Sequence, residues 1–138
     1  MNIESSREFI NSHKDQVIDL FLTYQLIEMV LFFKLHLPNT SDNDEDDDLL
    51  ENTNKKINSK TFGKLKSKYL EKFPNDDYHL SSDLDLVATQ RNGFMHSLWM
   101  IIAIADGRDE IRQVGEVLLN DFIKQSHLLL DKIYTLPG

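Results

Sequence analysis

From Leu84 to Ala105 the apolar residues fall at Leu84, Val87, Phe94, Met95, Leu98, Ile101, Ile102 and Ala105. That is the 3.6-residue period of a helix with a wide apolar face. The stripe is broken by chemistry. Arg91 stands where an aliphatic residue is called for, and Asn92, His96 and Trp99 form a second line at i, i+4 and i+7. Desolvating a charged or titratable group on the flank of a core helix costs free energy unless the group is paired or hydrogen-bonded. Gly93 lies between Arg91 and His96, and a glycine inside a helix costs about 1 kcal/mol relative to alanine. The cost is understandable where a backbone or a ligand approaches closely.

The rest of the chain repeats the helical period. Residues 5–36 read as one long helix or two abutting ones, with Ser5, Ser6 and Glu8 offering a cap and a first-turn carboxylate. Their stripe runs Ile10, Val17, Phe21, Tyr24, Leu31 and Leu35, and Glu28 lies on the same face one turn from Tyr24. Beyond Leu26 the helix is apolar nearly all round, which calls for cover on more than one side, most simply from a second subunit. Glu28 is the only acid in this apolar half. It needs a partner inside the bundle, and Arg91 or His96 is expected to be that partner. Pro38 and Asn39 end the segment.

Residues 39–54 form an acidic loop, with six acidic groups among the seven residues 42–48. Such a run repels itself and is expected to be solvated and mobile. It lacks the glycine and terminal glutamate spacing of an EF-hand. Ile57–Phe73 returns to helix, with Phe62, Leu65, Tyr69 and Phe73 on one face. On the other face Lys56, Lys60, Lys64, Lys68 and Lys72 follow one another at i+4. Residues 55–72 carry net +6 (seven Lys, one Glu), and residues 42–48 carry −6. The total of −8 therefore leaves room for a locally basic surface. Three readings fit the lysine row: a solvated face, a phosphate-binding strip, or a strip over which the acidic loop folds. Pro74–Leu80 reads as a connector, with Ser81, Ser82 and Asp83 as caps for the next helix. Asp106-Gly107 ends that helix, and Arg108–Leu136 forms the last, with Ile111, Val114, Leu118, Phe122, Leu129 and Ile133 as its stripe.

The expected fold is all-α, a bundle of four or five helices in a single domain over 1–138 with the acidic insert. There are no cysteines, and His13, His36, His79 and His127 are scattered singly, so no metal or other cofactor is expected. The N-terminus is polar, and the longest apolar stretch, Leu26–Leu37, is interrupted and short. A cytoplasmic protein without a membrane span is the expectation. A guanidinium for an anion, an imidazole for proton transfer and an amide to orient one of them suit chemistry at a phosphodiester.

The stretch Arg91-Asn92-Gly93-Phe94-Met95-His96 resembles the signature of the HEPN superfamily of small all-helical proteins. That signature is an arginine, four to six residues and a histidine, often with a polar residue directly after the arginine. The resemblance implies a homodimer whose two motif helices face each other. It also implies a metal-independent endoribonuclease of toxin–antitoxin, abortive-infection or phage-defence type acting on RNA. In that scheme His96 is the general base or acid, Arg91 stabilises charge on the phosphorane, and Asn92 orients substrate or His96. Glu28, Tyr24 and Ser97 support them, and Lys56, Lys60, Lys64 and Lys68 hold RNA. An antitoxin, such as a nucleotidyltransferase, is a further expected partner. In one HEPN subgroup a tyrosine two residues after the histidine is modified by that partner, and Leu98 stands there in this chain. Two alternatives lie beside the enzyme. One is a buried Arg91–Glu28 pair with His96 a satisfied core residue, and the other is a non-catalytic HEPN-like interaction or RNA-binding module.

Overall fold

The computed structural model describes residues 3–36, 62–105 and 108–137, and every regular element among them is helical. The acidic loop, Lys55, Lys56, Lys60, and the stop at Asp106-Gly107 lie outside the described residues. Helix α1 (Ile3–Ser12) and helix α2 (Lys14–His36) are the two abutting helices of the first segment. They part at His13, whose backbone N–H is shared between the carbonyls of Phe9 and Ile10. The His13 ring stacks on Phe9, and its Nδ1 lies 2.8 Å from the Phe9 carbonyl oxygen. A carbonyl only accepts, so Nδ1 carries a proton. Helix α3 is Phe62–Lys72, and helix α4 is Ser81–Asn92. A π turn over Gly93–Ser97 joins α4 to α5 (Leu98–Ala105), and α6 is Asp109–Tyr134.

The long helices α2 and α6 run parallel. Gln16 bonds Asn120, Asp19 meets His127, and Lys34 donates to the Leu136 carbonyl, in matching order along both. Helix α4 runs against them, tied by Gln90 to Asp121 and by Lys132 to Asp83. Helix α3 runs against α4, with Lys66 on Asp85. Between these helices Leu20, Ile27, Leu31, Leu65, Leu84 and Leu119 are buried. By length and composition α2 could cross a membrane; in this bundle it contributes Leu20, Tyr24, Ile27 and Leu31 to the core.

The faces differ from the expected stripes in ways that packing explains. In α6 the buried line is Gly115, Leu119, Phe122, Ser126, Leu129 and Ile133, while Val114 is exposed. A Cβ on Gly115 would stand 3.2 Å from the Phe9 ring and 3.3 Å from Ile102. The small residue is what lets α1 and α5 close on α6, and a reading by aliphatic residues shifts the face by one position at Val114 and Leu118 while finding it at Phe122, Leu129 and Ile133. In α2, Ile27, Val30, Leu31 and Phe32 are covered within the chain itself. The exposed apolar face lies instead at Ile18, Leu22, Leu26 and Met29, with Phe21 exposed beside it.

Neither helix cap is where the serines predict. Ser6 is inside α1, buried, and donates to the Trp99 carbonyl at 2.6 Å. The start of α4 is capped from upstream by Asp76. Its Oδ1 accepts from Tyr69 Oη (2.6 Å) and from the backbone N–H groups of Leu80 (2.9 Å) and Ser81 (3.3 Å). Its Oδ2 accepts from Ser81 Oγ at 2.6 Å. Asp76 and His79 both take positive φ, at 53° and 54°, a region that aspartate and histidine enter more readily than most residues.

Candidate active site

A π turn interrupts the helix between α4 and α5: the Leu98 N–H reaches the Gly93 carbonyl, five residues back. The buried line along both helices runs Leu84, Val87, Gln90, Phe94, Leu98 and Ile102. Met95 and Ile101 of the expected stripe are exposed. The wider turn narrows the angle between Arg91 and His96, which in an unbroken α-helix would stand about 140° apart.

Arg91 is partly buried, its guanidinium held on two sides. Its Nη2 lies 3.1 Å from Glu28 Oε1 in α2, and its charged carbon sits 5.6 Å from the centre of the Phe62 ring in α3. The Glu28 side chain is 13% exposed and that of Arg91 30%, so the pair is only partly shielded from solvent. The ion pair is close but off the N–H direction, and Glu28 Oε1 has no aligned hydrogen bond. Burial raises the Glu28 carboxyl above its ordinary value, and the Arg91 charge offsets only part of that.

One turn before Glu28, the Tyr24 ring is buried against Phe94 with 5.8 Å between centroids. Its hydroxyl has no hydrogen-bond partner among the described residues. Burial pushes this phenol well above the usual tyrosine range, and the Arg91 charge opposes the shift. Along the exposed side of α2, Leu22, Gln25, Leu26, Glu28 and Met29 line a shallow, mainly apolar hollow of about 320 Å³.

The residues expected at the site divide into two sets. Tyr24, Glu28 and Arg91 come together as one half-buried cluster. His96, Asn92 and Ser97 are exposed and make no side-chain hydrogen bond among the described residues. The Asn92–His96 contact is not formed, and His96 is not a satisfied core histidine. Lys56 and Lys60 lie outside the described residues. Lys68 pairs with Glu71, its neighbour Lys66 pairs with Asp85, Lys72 donates to the Lys34 carbonyl, and Lys64 also has a partner. Phe62 beneath Arg91 escaped the sequence reading, because a cation–π contact between separate helices leaves no local pattern. No family model, curated protein or solved structure matches this chain.

Proposed function

We propose that this all-helical protein is a metal-independent endoribonuclease of toxin or phage-defence type, HEPN-like and cytoplasmic, working as a homodimer. The reading rests on one juxtaposition. A partly open guanidinium, fixed by Glu28 and Phe62, stands five residues from an exposed imidazole across a π turn, and π turns are frequent at functional sites. His96 takes the proton of a ribose 2′-hydroxyl. The 2′-oxygen attacks the neighbouring phosphorus, the bond to the 5′-oxygen breaks, and a histidine returns a proton to that leaving oxygen. Arg91 neutralises the charge that builds on the equatorial oxygens. Asn92 and Ser97, both exposed, orient RNA. The described Lys64 and Lys68 add long-range attraction.

A second copy covers the exposed face of Ile18, Leu22, Leu26 and Met29. It also brings a second Arg91 and His96 to the scissile phosphate. An antitoxin partner belongs to the same reading. The Arg91–Glu28 ion pair favours one alternative, a non-catalytic HEPN-like dimer that binds RNA or a regulatory protein.

One experiment separates these readings. Purified protein is incubated with RNA in EDTA beside Arg91→Ala and His96→Ala. Each substitution is expected to lower cleavage by about 10²-fold or more while leaving helicity intact, and the wild-type product should carry a 2′,3′-cyclic phosphate. Undiminished cleavage in both variants removes these residues from the chemistry. RNA binding without cleavage by the wild type selects the non-catalytic module.

A further inference from the structure

Tyr24 and Glu28 stand one turn apart on one face of α2, each with a buried oxygen that lacks an aligned hydrogen bond. A buried polar atom without a partner is destabilising. Two such atoms at i and i+4 are within reach of each other after a change of rotamer. In this structure Glu28 Oε1 lies instead 3.1 Å from Arg91 Nη2. The same guanidinium is the cluster's only cation, and the Arg91 side chain is partly exposed.

We infer that Glu28 is the displaceable resident of an anion site: an RNA phosphate that takes Arg91 hands the Glu28 carboxyl over to the Tyr24 hydroxyl, and the carboxyl takes up one proton. The inference rests on the proposed role of Arg91 in holding RNA. Without the guanidinium the carboxylate would be left in a largely buried place beside a neutral phenol, where the neutral acid is favoured. Burial already pushes this carboxyl upward while Arg91 is still beside it. The proton comes from solvent and adds to a carboxylate oxygen. The phenol keeps its own proton and donates to the other oxygen of the carboxyl. The groups that matter to Glu28 are Tyr24, one turn away on its own helix, and Arg91 on α4, which is itself held against the Phe62 ring of α3 while Tyr24 packs on Phe94 of the π turn. Arg91 is its only ion-pair partner among the described residues.

Linkage gives the sign. If binding raises the carboxyl's proton affinity, RNA binds more tightly as pH falls, by up to tenfold per unit between the free and bound titrations. A histidine beside the site is a second source of exchangeable protons, so the measurement belongs in a His96→Ala background. The probe is a 2′-O-methyl RNA oligonucleotide, titrated calorimetrically at pH 7 in Pipes and in Tris, whose ionisation heats differ. The expected result is uptake of close to one proton per site, absent in Glu28→Gln. Glu28→Gln should also bind severalfold more tightly, because a neutral amide competes less well for Arg91. Tyr24→Phe should bind severalfold more weakly. Equal proton uptake in wild type and Glu28→Gln, or none in either, overturns the handover while Arg91-dependent binding stands. The underlying reading is tested by Arg91→Ala, read beside Arg91→Ala/Glu28→Gln, which strands no buried charge. Undiminished binding in both overturns that reading and the handover with it.

Discussion

Asp76 and Glu28 are both carboxylates drawn into helix junctions, and the chain treats them oppositely. Asp76 accepts four hydrogen bonds, from a phenol, a hydroxyl and two backbone N–H groups. Glu28 has a cation at 3.1 Å and no aligned bond on Oε1. The hydrogen bonds from Ser81 and Tyr69 hold the Asp76 carboxyl down at about 2, while burial drives that of Glu28 up. A fully satisfied acid specifies structure: it sets where α4 begins and holds two residues at positive φ. An acid left half-satisfied beside a partly open arginine is where a ligand can alter the balance.

The largest expected effect comes from breaking the satisfied cluster. Asp76→Ala removes a helix cap and leaves the buried Tyr69 O–H without its acceptor, and should cost about 2–4 kcal/mol in urea unfolding. RNA cleavage per folded molecule should not change. Asp76→Asn keeps the tolerance for positive φ and part of the bonding, and should lose less. A loss under about 0.5 kcal/mol in the alanine variant would mean that the cluster does not hold the connector, since that is the low end for a cap alone.

The two acids should also respond to pH with opposite signs. Asp76 has a depressed folded value, so its contribution is complete above about 3.8 and is lost as pH falls through about 2. Glu28 has a raised folded value. Ionising it therefore costs stability above that value, and the cost disappears as pH falls toward 4.5. Asp76→Asn should flatten the acid limb of a stability–pH curve. Glu28→Gln should leave that limb steep and change neutral-pH stability by no more than about 1 kcal/mol, because the pair is partly open to water. Identical curves for the two variants would dissolve the contrast.

Much of this was legible before any coordinates. Helix period marked every described helix, because a stripe against a core is a local property. Glu28 was assigned a partner in Arg91 or His96 because an acid in an apolar half-helix needs one, and Arg91 is that partner. The misreadings share a cause. Gly115 lines the core of α6 where α1 and α5 close in, so a search for large apolar residues is one position out of phase at Val114 and Leu118, although it finds Phe122, Leu129 and Ile133. The π turn leaves no such mark, since the four-residue steps from Phe94 to Leu98 and Ile102 also occur at Ile27, Leu31 and Leu35, inside the regular helix α2. The Asp76 cap and the Phe62–Arg91 contact were beyond such patterns. One depends on a connector at positive φ, the other on how α3 lies across α4.

The smallest expected effect sharpens the comparison most. Gly93 has ordinary right-handed helical angles, φ −61° and ψ −44°, so its backbone does not require glycine. A Cβ there would meet Phe122 Cζ at 3.8 Å, an ordinary contact. Nothing among the described residues therefore explains a residue that costs about 0.5–1 kcal/mol in a helix. Gly115 is the opposite case, with its Cβ position already crowded. Gly93→Ala should then raise the melting temperature by about 2–4 °C, in line with that propensity gain. If RNA or the second copy approaches closest between Arg91 and His96, the added methyl group should lower cleavage severalfold in the same variant. A more stable protein that cuts RNA less well would place the close approach at the π turn. A more stable protein of unchanged activity would confine the contact to the Arg91 guanidinium and the His96 ring, leaving the backbone between them outside the site.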